Sequence, residues 1–127
     1  MAGPGKVNLD FHSFDTTSGF TTRPSNPKVH LKVIGSTLDT ETRTGLRTRL
    51  IKLDAGCRTP EAHAHPYWEE LYVLEGDIIS IDADGERKVE APGYASRSPG
   101  TMHGPVRSDG GCLILEFNWY EENEAAS

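Results

Sequence analysis

Long apolar runs are missing from this 127-residue chain. Nothing approaches the roughly 20 apolar residues of a membrane-crossing helix, and the first thirty residues lack the apolar core of a secretory leader. A cytoplasmic location is the expectation. Positive charge is in deficit: 13 Lys and Arg stand against 19 Asp and Glu, a formal net charge of −6 with a pI near 5.3. That balance excludes nucleic acid as a partner, because affinity for phosphate backbones is built on clustered basic side chains. Cysteine is scarce. Cys57 and Cys112 lie far apart, form no C-x-x-C, and read as buried small hydrophobes of a reducing compartment. Helical periodicity is absent too, since no window repeats apolar residues at i, i+3, i+4 and i+7. A chain this long buries roughly two thirds of its unfolded surface, so it forms one domain and needs neither disulfide nor ion to hold a core. Any bound metal is then functional.

Turn residues are plentiful: 13 glycines and 8 prolines punctuate the chain, which implies many short elements. Val29, Leu31 and Val33 alternate with His30 and Lys32, and Leu46–Leu53 follows a polar stretch; both read as strands. Glu69 to Glu75 supplies a strand ending at Gly76, and Ile78 to Asp82 continues the sheet. The Asp84-Gly85 dipeptide suits a type I′ hairpin turn, with Arg87 to Glu90 returning. Pro92-Gly93, Pro99-Gly100 and Asp109-Gly110-Gly111 mark further turns, and Cys112 to Trp119 is the most apolar strand. Eight to ten short strands describe an all-β sandwich or small barrel. Residues 1–28 read as an N-terminal arm packing on the barrel through Val7, Leu9, Phe11, Phe14 and Phe20, residues 29–120 as the barrel, and 121–127 as a frayed acidic tail.

Five histidines occur. His12 and His30 have no partner in the sequence and carry no role. His63 and His65 are two apart, which on a strand puts both on one face. Glu69 and Glu70 follow after Pro66 and can bring a carboxylate to the same spot, and His103 follows the Pro99-Gly100 turn. Three imidazoles and one carboxylate suit a divalent first-row transition metal and leave two octahedral positions for water, oxygen or substrate.

The ordered pattern G-x6-H-x-H-x3-E-x6-G, running Gly56, His63, His65, Glu69, Gly76, followed by P-G-x2-H at 99–103, resembles the two motifs of the cupin superfamily. The likeness covers roughly residues 29–119. Residues 65–76 and 99–105 are most similar to the cupin domain of ChrR and to dihydroxyacetophenone-type dioxygenases. Three positions depart from the family pattern: six residues instead of five separate Gly56 from His63, Ser98 replaces a proline, and Arg107 stands where the second motif ends in Asn. The resemblance implies a double-stranded β-helix, or jelly-roll, barrel with the metal on His63, His65, Glu69 and His103, and a homodimer. Because neighbours on a strand face opposite ways, Glu69 and Glu70 cannot both be ligands, and the family spacing selects Glu69.

The activity implied is that of a dioxygenase cleaving a small hydroxyketone or diketone chelated to Fe(II), the metal acting as Lewis acid and template. Tyr67, Trp68, Met102 and the inward side of 112–119 are the expected pocket walls. The alternatives are an oxygen-independent isomerase, epimerase or lyase holding Zn, Mn or Ni with Glu70 as base, and a non-catalytic sensor of metal or small ligand.

Overall fold

A computed structural model of the chain describes residues 3–59 and 61–121. The described residues contain no helix, and therefore none long and apolar enough to cross a membrane. Nine strands are present among the described residues: β1 (Thr21–Arg23), β2 (Asn26–Ser36), β3 (Leu46–Leu53), β4 (Cys57–Arg58), β5 (Trp68–Asp82), β6 (Gly85–Glu90), β7 (Gly93–Arg97), β8 (Val106–Ser108) and β9 (Cys112–Trp119). The number falls within the expected range, and β3 and β9 have the bounds that alternation alone assigns them.

All pairings are antiparallel. One sheet runs β1-β2-β3-β9-β5, with β7 on the far side of β5; the other joins the end of β5 to β6 and β8, and β8 to β4. The sheets curl into a jelly-roll barrel, and β5 belongs to both. Its first half pairs with β7 and β9, its second with β6 and β8. The two expected strands on either side of Gly76 are thus one 15-residue strand. At the crossing Gly76 has φ +82°, and a Cβ there would sit 2.0 Å from the Gly111 carbonyl oxygen, so only glycine fits.

Just beyond that crossing, the buried Asp77 carboxylate accepts the N–H of Asp109 at 2.9 Å and of Gly110 at 2.8 Å, while Ser108 Oγ donates to the Asp77 carbonyl at 2.6 Å. Burial pushes the Asp77 pKa up, but the two N–H donors outweigh it and hold it below the usual range. Asp77→Ala orphans both donors, and a loss of about 2–3 kcal/mol is expected at pH 7. A folded pKa below the unfolded one means that the carboxylate stabilises the fold above about pH 4 and ceases to do so as pH falls through its folded pKa. Urea midpoints of wild type and variant should therefore differ most at neutral pH and converge in acid.

Val29, Leu53, Cys57, Val73, Cys112 and Ile114 form the buried core between the sheets, with Leu31, Ile51, Leu71 and Ile78 packed against it. Both cysteines are free and buried, as expected; burial pushes the Cys112 thiol up to about 11, which leaves it inert at neutral pH.

Three local expectations are corrected. Sheet begins within the stretch read as arm, because Thr21 and Thr22 pair with Leu31 and His30 at an edge where Pro24 and Pro27 withhold no needed ladder donor. Of the arm's apolar residues, Val7, Leu9, Phe11 and Phe14 are exposed. The arm is held by polar contacts instead: Ser36 N–H to the Pro4 carbonyl at 2.8 Å, Lys6 Nζ to Thr48 Oγ1 at 3.2 Å, and Lys32 Nζ to the Asp15 carbonyl at 2.6 Å. Only Phe20 docks, between Lys32 and Lys52. The β5–β6 turn is not type I′. Asp82 pairs with Gly85 across Ala83-Asp84, positive φ occurs at Gly85 alone, and the Asp82 carboxylate accepts the Asp84 N–H at 2.9 Å, an Asx turn. The remainder of the expected tail, 122–127, lies outside the described residues.

Candidate metal centre

Residues 61–67 form no regular strand, contrary to the expectation for His63 and His65. A single bridge pairs His63 with His103, each N–H donating to the other's carbonyl at 2.8 Å, and Pro66, lacking an N–H, cannot extend a ladder. The bridge nevertheless joins segments forty residues apart in sequence, and the imidazoles of His63, His65 and His103 bring their ligand nitrogens within 4.8 Å of one another. Tyr67, expected as pocket wall, lies behind the cluster, its ring stacked on His65 at 4.9 Å. Trp68 stacks on Trp119 instead of lining a pocket, and Met102 is 64 % exposed.

Glu69 comes from β5, opposite Arg97 on β7 and Asn118 on β9. It is 3 % exposed, with Oε1 at 3.4 Å from His65 Nε2 and Oε2 at 3.2 Å from His103 Nε2. Strand alternation turns Glu70 to the opposite face, where Tyr72 Oη donates to it at 2.9 Å. The base role expected for Glu70 fails on that placement.

The donor set fits a transition ion. Donors about 2.1 Å from a shared ion stand about 3.0–3.5 Å apart at adjacent corners of an octahedron or tetrahedron; Glu69 meets that range to His65 through Oε1 and to His103 through Oε2, while the imidazole nitrogens, spread over up to 4.8 Å, would draw together around an ion. His103 Nε2 is buried and has no hydrogen-bond partner among the described residues, the Glu69 contact being too poorly aligned to serve. Burial, followed by Arg97 and the other two imidazoles, pushes His103 down to about 3, and burial also lowers His65. Neutral rings keep the nitrogen lone pairs that a metal requires. Burial and the neighbouring Glu116 carboxylate push Glu69 up to about 7, the strain of a carboxylate lacking a full counter-charge. Glu69→Gln is expected to lower metal affinity at least about tenfold while Glu70→Gln leaves it unchanged, read by competition with a chromogenic chelator; the reverse pattern would reassign the ligand.

Sequence reasoning overlooked three charged side chains beside this cluster. Glu116 on β9 is 2 % exposed and accepts from Arg49 Nε on β3, directly opposite. Arg97 Nη1 lies 3.7 Å from Glu69 Oε2. The available signal was Glu116 itself, an acid on the inward face of the most apolar strand. With the imidazoles these residues line a cavity of about 330 Å³ inside the barrel, whose remaining wall is mainly aliphatic, including Ile51, Leu71, Ile78, Val106 and Ile114. Of the expected walls, the inward side of β9 is the part that lines it.

A curled antiparallel jelly roll with a histidine cluster inside defines a small barrel of the cupin type. The solved structures say the same of the fold. The acetylacetone dioxygenase of Acinetobacter johnsonii superposes with a TM-score of 0.67 at 16% identity, covering 93% of this chain and 82% of its own. KdgF from a Halomonas species gives 0.64 at 18% identity over 88% and 96%. A sugar phosphate isomerase of the cupin superfamily from Silicibacter pomeroyi gives 0.60 at 16% identity over 80% and 69%. No family model matches the chain, and no curated protein matches it in sequence. The chain has the cupin fold.

Proposed function

We propose that the chain is a metal-dependent enzyme, a dioxygenase acting on a small hydroxyketone or diketone, with Fe(II) the favoured ion on His63, His65, Glu69 and His103. The observation that carries this is the buried, unpartnered His103 Nε2 beside the buried Glu69, both on the wall of a cavity large enough for a small molecule. The likeness to an acetylacetone dioxygenase agrees with it in fold. A bound ion would supply Lewis acidity toward the oxygens of a chelating substrate. The chain's own residues do the remainder: the aliphatic wall excludes water and limits substrate size, and Tyr67 holds the His65 ring in place. Glu116, fixed by Arg49, is the carboxylate positioned to accept a proton from a bound ligand.

That last placement also favours a second reading, an oxygen-independent isomerase, epimerase or lyase holding Zn, Mn or Ni, with Glu116 in the role first given to Glu70. The discriminating experiment is metal analysis of protein purified without added metal or chelator, followed by oxygen-electrode traces with a panel of diketones and hydroxyketones. Oxygen uptake supports the first reading; anaerobic conversion moves the assignment to the second; binding without any conversion marks a sensor and ends the enzyme proposal. A homodimer belongs to the same proposal, covering exposed apolar surface on the arm (Val7, Leu9, Phe11) and the outer sheet (Tyr72, Tyr94), and light scattering measures it.

A further inference from the structure

The cavity wall carries three arginines, Arg23, Arg49 and Arg97, against two glutamates, in a chain whose net charge is −6. Two of these arginines, Arg49 and Arg97, lie within the hollow, and Arg23 lies on an exposed strand at its edge. Arg49 uses Nε on Glu116, and Arg97 makes no hydrogen bond among the described residues beyond its 3.7 Å ionic contact with Glu69. Their side chains are only 13% and 21% exposed. A guanidinium offers five N–H donors, and most of the donors on this pair have no protein partner among the described residues; none of these nitrogens is fully buried and unpartnered, so a ligand in the cavity can reach them. Arg49 faces Glu116 and Arg97 faces Glu69, while Arg23 sits on an exposed strand at the rim. A divalent ion at the histidines would add positive charge beside Arg97.

An anion is the complementary ligand, and the surroundings decide which kind. The described wall has no helix N-terminus to add main-chain donors, as a phosphate site commonly does. A planar carboxylate needs only the guanidinium fork. The aliphatic remainder of the cavity suits a short hydrocarbon portion.

We infer that the cavity binds a small aliphatic oxo- or hydroxyacid, its carboxylate gripped by Arg97 with Arg49 beside it and its second oxygen directed at the histidine cluster. This narrows the substrate class of the reading above and rests on its use of the cavity as the ligand site. It does not depend on which ion is bound.

Acetoacetate and acetylacetone share a skeleton and differ by carboxylate against acetyl, and calorimetric titration of the metal-loaded protein compares them. The expected result is acetoacetate binding at least about tenfold more tightly than acetylacetone, with the ratio of the two affinities falling to about one in Arg97→Gln and partly kept in Arg97→Lys. Circular dichroism of the variants confirms that they fold. Equal affinities in wild type, failure of acetoacetate to bind, or a preference that survives Arg97→Gln overturns the inference, as does inorganic phosphate displacing acetoacetate at lower concentration. The same titrations in metal-stripped protein keep the two readings apart. If wild type proves to hold no metal, an Arg97-dependent preference for the acid still upholds this inference, and its absence still ends it.

Discussion

Replacing His103 with alanine is expected to abolish metal binding and to leave the barrel folded. The ring nitrogen it removes is buried and unpartnered, so its loss deprives no protein group of a hydrogen bond, and the main-chain bridge to His63 survives because it uses only backbone atoms. Losing one of four donors should lower metal affinity by at least about a hundredfold, since even groups that merely orient ligands are worth 10–100-fold. Fold stability should change by no more than about 1 kcal/mol, because the core cluster of Val29, Leu53, Val73 and Ile114 does not involve this ring. Elemental analysis and a urea titration measure the two quantities. Stoichiometric metal in the variant would remove His103 from the ligand set, and global unfolding would make the ion structural.

Gly76→Ala is expected to have the opposite profile, destroying the fold without touching a ligand. Its Cβ would meet the Gly111 oxygen at 2.0 Å and Cys112 Cα at 2.8 Å, both backbone atoms of the segment that opens β9 and therefore unable to swing aside. A loss of more than about 4 kcal/mol follows, enough to unfold a typical domain of this size or leave it marginal. Gly100→Ala isolates the backbone contribution, for Gly100 has φ +80° but nothing within 4 Å of the added carbon, and should cost only about 1 kcal/mol. If the two variants lose similar stability in urea, the close approach at the crossing of β5 is not what requires glycine.

Elements written in one stretch of chain were legible beforehand, and those made by distant pairing were not. β3 and β9 carry their alternation in consecutive residues. β7, with Gly-Tyr-Ala-Ser-Arg, has almost none, and exists because Glu69 to Val73 offer it a ladder. The histidines announced themselves by type and spacing, although the strand assumed for His63 and His65 is a one-residue bridge. Glu116, Arg49 and Arg97 stayed hidden because they meet Glu69 only through the register of β3, β9, β5 and β7, which no local pattern encodes. The arm misled for the converse reason: its apolar residues suggested docking, whereas lysines and main-chain groups hold it.

The aliphatic part of the cavity is also the border of the protein's own core. Leu71, Ile51 and Ile78 face the hollow and at the same time pack on Val29, Leu53 and Val73. Selectivity for chain length and resistance to unfolding are consequently set by the same side chains. Trimming Ile51 or Ile78 to valine should admit a longer ligand at a cost of about 0.5–1.5 kcal/mol per replacement, so a lineage that widened its ligand range by this route would need compensating substitutions elsewhere in the barrel. Changes at Arg97 leave those aliphatic contacts alone but remove the ionic partner, 3.7 Å away, of the buried Glu69 carboxylate. Charge recognition is thus tied to the histidine–glutamate cluster, whereas ligand size is tethered to the integrity of the fold.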